Sequence, residues 1–313
     1  MTGMASSSLV AGVELGGTKI VCGVASAEDP SAVLDSIRFP TGDPGATLHR
    51  IDAFLRDADE RGAVMAVGIA SFGPVDVEPD ALRYGWITDT PKRAWVDTPL
   101  LDGIPFATSR PIAVMSDVSA AALAEHRLGA ARGVRNAAYI TVGTGIGAGL
   151  IVRGEVFQGN GFPEAGHLIV RRHPADEYEG CCPLHGDCAE GLASGPAVRG
   201  RWGRGGEELT EGQLAEAREM LGGYIAQVAH AVQGIAGSEC IVLGGGVLGL
   251  PGLRGAVEEQ LSALRRVTSD RGDGAGSDVG SGSARALPVL RRPAFSDAGL
   301  VGALVAAAGL VSR

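Results

Sequence analysis

The chain is short of the residues on which several protein classes depend. Positive charge is outweighed, with 27 Lys and Arg against 36 Asp and Glu and a formal net charge of −9. That excludes sequence-independent nucleic-acid binding, which neutralises phosphates with Lys and Arg, and is equally unsuited to an anionic membrane surface. Lysine itself is almost missing: only Lys19 and Lys92 occur. Aromatic residues make up 4%, so any core must be built from Ala, Val, Leu and Ile. The most apolar run, from Leu300 to Val311, is too short to cross a bilayer. The N-terminal "MTGMASSSLV" has no charged segment leading into an apolar one, so no secretory signal is expected. A soluble cytoplasmic protein is the expectation. Cysteine is scarce too, five in all, yet three of the five fall at 181, 182 and 188. In a reducing compartment such a cluster reads as metal-binding sooner than as a disulfide framework.

A length of 313 residues predicts two domains. Apolar runs at 10–15 and 20–26, separated by "GGTK", predict a β-hairpin. Residues 47–61 have helical spacing at Leu48, Ile51, Phe54 and Leu55. Buried strands are expected at 63–71 and 112–115, the latter leading into an Ala-rich helix that stops at Gly133. Strands follow at 137–142 and 148–153, then a long helix over 211–236 with apolar positions Leu214, Leu221, Ile225, Val228, Val232 and Ile235. A strand at 240–243 and a small-residue helix at 298–311 complete an α/β pattern. The stretch 268–284, rich in Gly, Ser and Asp, predicts a mobile surface loop.

Glycine is abundant, 49 residues, and three Gly-rich turns follow strands: "GGTK" at 16–19, "GTGIG" at 143–147 and "GGGV" at 244–247. Exposed backbone N–H groups in such turns make anion-binding concavities. Gly16, Gly17, Thr18 and Lys19 add a hydroxyl and a point charge; a plain surface hairpin is the alternative. No segment matches G-x-x-x-x-G-K-[ST], which excludes a P-loop. "GTGIGA" satisfies G-x-G-x-x-A but runs into the strand-like "GLIVRG", whereas a dinucleotide fold needs a helix there.

The ordered set "GVELGGTK", "ASFGPVD", "TVGTGIGAG", "PEAGH", the cysteine loop and "IVLGGGV" resembles the ROK family (repressor, open reading frame, kinase). "YGWITDTPKRAW" and "EAGHLIVRRHP" resemble its bacterial, zinc-containing fructokinase branch. The resemblance runs from Val10 to Val311. It implies an actin-like (ribonuclease H-like) ATPase fold of two α/β domains around a central cleft where ATP and sugar meet. Residues 1–117, completed by a C-terminal helix at 298–313, would form one domain and 118–297 the other. The implied activity is ATP- and Mg²⁺-dependent phosphorylation of a hexose, D-fructose to D-fructose 6-phosphate, by a homodimer. Nucleotide contacts are implied at Gly16, Gly17, Thr18, Lys19, Thr141, Gly143, Thr144, Gly145, Pro196, Gly244, Gly245 and Gly246.

Asp117 follows a buried strand and opens a helix. Position alone leaves two roles open, helix N-cap and general base; the resemblance aligns it with the family's catalytic Asp. The fructokinase-like pattern there is Asp-Val-Asn, but this chain has Ser119, whose reach is shorter. Glu164, His167 and Glu190 align with residues that bind sugar hydroxyls, and Glu14 is read as orienting Mg²⁺-bound water. Cys182-x2-His185-x2-Cys188 with His167 upstream offers two thiolates and two imidazoles, the donor set of a closed structural Zn²⁺ site. His173 is a rival fourth ligand that the family pattern disfavours. Cys181 reads as a bystander, and Cys22 and Cys240 as core residues. Zinc loss is expected to raise the KM for sugar, with less effect on nucleotide, because the phosphate turns lie elsewhere in sequence.

Two rival functions differ from a fructokinase. A hexokinase preferring glucose, mannose or an N-acylated hexosamine shares the chemistry. A sugar-sensing repressor would carry a helix-turn-helix ahead of the hairpin, and the roughly nine residues before the first strand are too few for one.

Overall fold

The computed structural model describes residues 8–159, 161–269 and 288–312. These divide into two compact units. The first takes the described residues up to Gly133, Glu155–Pro163 and those from Pro293 on; the second takes those within Val134–Gly154 and Glu164–Arg292.

The first unit is built on strands β1 (Leu9–Leu15), β2 (Lys19–Ser26), β3 (Val33–Pro40), β4 (Val64–Ser71) and β5 (Ile112–Ser116), in the order β3-β2-β1-β4-β5. The β1–β2 pair is the expected antiparallel hairpin, and β1, β4 and β5 run parallel. Helix α1 (Pro44–Arg61) starts three residues before the spacing suggested. Asp43 caps it by accepting from the Ala46 amide at 3.2 Å, and Pro44 occupies the first turn, where its missing N–H costs nothing. Leu48, Ile51, Phe54 and Leu55 are buried as the periodicity required.

Helix α2 (Asp117–Arg127) stops six residues short of Gly133, where sequence placed its end. The cause is Glu125, fully buried, whose carboxylate accepts from the Ala130 amide at 2.7 Å and draws the chain off its helical path. The same carboxylate accepts from the amides of Ala294 (2.8 Å) and Phe295 (3.2 Å). Glu125→Ala would strand three amide donors. It is expected to cost about 2–5 kcal/mol, read in a urea or thermal melt; an unchanged midpoint would deny Glu125 this role.

The second unit sets β6 (Ala137–Val142), β7 (Ile146–Val152), β8 (Cys240–Gly244) and β9 (Val289–Arg291) side by side in the order β7-β6-β8-β9. Two short helices, α3 (Ala189–Ala193) and α4 (Gly195–Trp202), precede the long α5 (Glu211–Ala236). A capping box between Thr210 and Gln213 starts α5, and Gly237 in the left-handed region (φ 61°) ends it. Leu214, Leu221, Ile225, Val228 and Val232 are buried, whereas Ile235 in the last turn is 79% exposed and departs from the expected face. Helix α6 (Leu253–Ser269) was not foreseen and absorbs the first two residues of the 268–284 stretch; the remainder lies outside the described residues.

The C-terminal helix α7 (Ala298–Val311) packs in the first unit. Its small residues are required by close approach: a side chain on Gly302 would collide with the Ala120 carbonyl of α2, and one on Gly68 of β4 with the Ala303 carbonyl. Cys22 and Cys240 are buried strand residues, as expected, and burial pushes the Cys22 thiol up to about 12. Among the described residues no helix is long and apolar enough to cross a membrane.

Candidate active site and metal centre

In the first unit, Leu15, Ser71 and Ser116 are register partners at the carboxyl ends of parallel strands β1, β4 and β5. The Gly16–Thr18 turn and Asp117 therefore leave the same sheet edge, one strand between them, or about 10 Å. That edge is where open α/β sheets bind ligands. The turn is closed by the Gly16 amide donating to the Lys19 carbonyl (2.9 Å) and braced by the Thr41 hydroxyl donating to the Gly16 carbonyl (2.7 Å). Both lysines of the chain flank it. The Lys92 Cε lies 3.4 Å from where a Gly17 Cβ would be. The Lys19 Nζ contacts Asp297 Oδ1 at 3.0 Å, while Arg38 holds Oδ2 at 2.6 Å. Burial alone would raise the Asp297 carboxyl, but these two cations outweigh it and keep it below the ordinary range. Glu14 is raised by burial, and its Oε2 accepts from the Leu300 amide in the first turn of α7 at 3.1 Å.

Asp117 is the first residue of α2, not its cap. The cap is Ser116, whose Oγ accepts from the Ser119 amide at 3.2 Å. Asp117 is half-buried, and its Oδ1 accepts from the neighbouring Val118 amide at 2.8 Å. Ser119 is fully buried and accepts a 2.8 Å bond from the Ser116 hydroxyl, so its side chain serves the start of the helix.

The second unit brings the other two glycine turns together. The Gly143 amide donates to the Gly145 carbonyl at 2.9 Å, and the Gly143 carbonyl accepts from the Gly195 amide at 2.6 Å. That bond sets Pro196, in the first turn of α4, beside the turn that follows Thr141 and Val142 and carries Thr144. Gly245 has φ 93°, and a side chain there would strike the backbone of Val142. Gly244, Gly245 and Gly246 thus follow β8 directly alongside the Gly143–Gly145 turn.

The cysteine loop folds back on itself. Cys182 and Gly186 exchange backbone hydrogen bonds of 3.1 and 2.9 Å, with Gly186 at φ 68°, and Ile169 bridges to Cys188. The ligand atoms of His167, Cys182, His185 and Cys188 then lie within 4.8 Å of one another. Cys182 Sγ is 3.6 Å from His167 Nδ1 and 3.8 Å from His185 Nδ1, and Cys188 Sγ is 3.6 Å from His167 Nδ1. Zinc–sulfur and zinc–nitrogen bonds at tetrahedral angles put the two donors about 3.5 Å apart, so these three spacings and this donor set fit a Zn²⁺ ion. His173 lies elsewhere, its Nε2 3.1 Å from Glu219, and Cys181 is exposed with its Sγ 3.8 Å from Ser194 Oγ. Burial, followed by the neighbouring Cys182, raises the Cys188 thiol to about 11; a bound cation reverses that preference by stabilising the thiolate.

Glu164 precedes the short turn Ala165–His167, which His167 ends, and Glu190 stands two residues beyond Cys188. Partial burial raises the Glu164 carboxyl; His167 opposes the shift and Glu190 adds to it, so the three residues share one neighbourhood. Beneath them Arg201 grips Asp176 through two bonds of 3.1 and 2.8 Å, donates to the Leu192 carbonyl of α3 at 2.9 Å, and Asp176 also accepts from the Tyr224 hydroxyl at 2.6 Å. Sequence reading missed this support and also Asp297, which sits 278 positions from its Lys19 partner. No local pattern announces either.

Similarity to known proteins places this arrangement, with its C-terminal helix returned to the first sheet, among sugar kinases. The ROK family profile matches residues 10–270. A fructokinase of Zymomonas mobilis subsp. mobilis is 38% identical over 255 residues, 80% of this chain and 84% of that protein. A fructokinase of Streptococcus mutans serotype c is 36% identical over 261 residues, 82% of this chain and 86% of that protein. The structure of a ROK hexokinase from Thermus thermophilus matches with a TM-score of 0.70 at 29% identity, covering 97% of this chain and 99% of that one. The chain belongs to the ROK family. Its two mixed α/β sheets are the ROK hexokinase-like fold, and it is a fructokinase-like sugar kinase.

Proposed function

We propose that the protein transfers the γ-phosphoryl group of ATP to D-fructose, giving D-fructose 6-phosphate and ADP. The observation that carries this reading is the four-ligand cluster, with Glu164 three residues before its His167 and Glu190 two after its Cys188, in a chain 36–38% identical to fructokinases. Glu164, His167 and Glu190 hold the sugar hydroxyls, carboxylates being strong acceptors for paired O–H donors. Asp117 takes the proton of the attacking hydroxyl as that oxygen bonds to phosphorus and the bond to ADP breaks. Lys19 and the amides of Gly16, Gly17 and Thr18 are proposed phosphate contacts, as are Thr141, Gly143, Thr144, Gly145, Pro196 and Gly244–Gly246. Mg²⁺ bound to the phosphates would neutralise charge that builds on them. Zn²⁺ holds His167, Cys182, His185 and Cys188 together and takes no part in the transfer. A cytoplasmic homodimer is the setting that the family resemblance supports, and light scattering tests the assembly.

One observation favours a second reading. Ser119 is buried and accepts from the Ser116 hydroxyl, and as a serine it lacks the side-chain amide of the fructokinase pattern, so a hexokinase of broader preference becomes the alternative. A coupled assay with ATP and Mg²⁺ against a sugar panel decides. Fructose is expected to exceed glucose in kcat/KM by roughly tenfold or more, because a site built on hydroxyl contacts discriminates strongly. Preference for glucose, mannose or an N-acetylated hexosamine would establish the alternative.

A further inference from the structure

Segment 188–195 joins the metal cluster to the glycine turn after β6. It begins at Cys188, a cluster ligand and the cap of α3, and ends at Gly195, whose amide donates to the Gly143 carbonyl at 2.6 Å. A five-residue helix cannot hold itself. Its position is set by its ends and by backbone bonds from Ala189 to the Leu168 carbonyl (2.9 Å) and from Cys181 to the Gly191 carbonyl (3.0 Å), both from segments that carry or adjoin cluster ligands. Midway along it, Glu190 Oε2 accepts from the Ile146 amide at 2.9 Å. A Cβ on Gly145 would lie 2.6 Å from that oxygen, so the glycine leaves the carboxylate its place. The Ile146 carbonyl is packed against Gly166, next to His167, so closely that any side chain at 166 would collide with it. Both ends of the Gly143–Ile146 turn are therefore held by segments that the cluster organises.

We infer that Glu190 is a positioning residue for the nucleotide turn: its carboxylate carries the order imposed by the His/Cys cluster into Gly143–Ile146. Loss of the cluster then weakens nucleotide binding as well as sugar binding, contrary to the expectation drawn from the separation of these segments in sequence. One oxygen, Oε2, serves the Ile146 amide, which leaves Oε1 for a sugar hydroxyl. This rests on the reading that Gly143–Ile146 receives ATP and that Glu190 touches sugar.

The test is equilibrium binding of a non-hydrolysable ATP analogue with Mg²⁺, without sugar, alongside sugar binding without nucleotide. Glu190→Ala is expected to weaken the analogue about tenfold, as when a charge-assisted hydrogen bond that orders a site is lost. Glu190→Gln keeps a carbonyl acceptor for Ile146; it should hold the analogue within about twofold of wild type while weakening sugar. Should Glu190→Ala fail to fold, Glu190→Ser, whose side chain is too short to reach the Ile146 amide, is expected to show the same loss. Protein stripped of zinc, with the chelator dialysed away, should lose analogue affinity in wild type and little more in Glu190→Ala, the non-additivity of groups acting through one contact. Gly143→Ala, whose Cβ meets nothing within 4 Å, and Thr144→Val probe the underlying reading. If they weaken the analogue while Glu190→Ala binds it normally, or if Glu190→Gln loses as much as Glu190→Ala, the inference is overturned. If neither turn variant alters binding, the assignment of the turn to nucleotide fails instead.

Discussion

Asp117→Asn is expected to yield a folded protein that binds sugar and nucleotide but turns over on the order of 10²–10⁴-fold more slowly, the usual worth of a positioned general base. Asn has nearly the same shape and retains an oxygen that can accept from the Val118 amide, the 2.8 Å bond that Asp117 makes. What it loses is the capacity to take the hydroxyl proton. The competing role, helix capping, belongs to Ser116, which makes the two roles separable. Ser116→Ala is expected to cost about 1 kcal/mol in a denaturant melt, the typical value of a lost cap. Asp117→Asn should leave the melt nearly unchanged and appear in kcat, with the dissociation constant for sugar little altered. Turnover close to wild type in Asp117→Asn would remove Asp117 from the chemistry.

Periodic features were legible in the sequence because local physics decides them. The hairpin around "GGTK", helix α5 and the small-residue helix α7 came out where pattern placed them. Helix α2 did not, because a buried carboxylate at 125 captures amides on both sides of a 160-residue gap in sequence, at Ala130 and at Ala294 and Phe295. Nothing in a window around Glu125 carries that information. The candidate site divides in the same way. The spacing of Cys182, His185 and Cys188 was readable, since ligands within one loop must be close. Contacts that assemble a site from separate segments were not: Lys19 with Asp297, Glu190 with Ile146, and Arg201 beneath α3. Sequence distance also hid how close segment 188–195 lies to the Gly143–Ile146 turn.

Untagged protein is expected to contain about one zinc per chain by elemental analysis, the stoichiometry of a single closed four-ligand site. His185→Ala is the cleanest way to break it. His185 is the exposed member of the four, whereas Cys182 and Cys188 are buried, so removing the imidazole deletes a ligand without opening a cavity. Zinc content should fall well below one per chain. Binding to a site that forms only on folding contributes to folding free energy, so a loss of roughly 3 kcal/mol or more is expected in the second unit. At about 2–4 °C per kcal/mol for a body of that size, the melting temperature should drop by about 10 °C. The unit should still fold at low temperature, because burial keeps a metal-free Cys188 as a neutral thiol and leaves no buried anion behind. Under those conditions the KM for sugar should rise, since His167 carries both a cluster nitrogen and the proposed sugar contact. Suppose instead that His185→Ala lacks zinc yet shows wild-type KM values for both sugar and ATP while folded. The cluster would then be a remote staple for the loop, and neither Glu190 nor His167 would owe its working position to the metal.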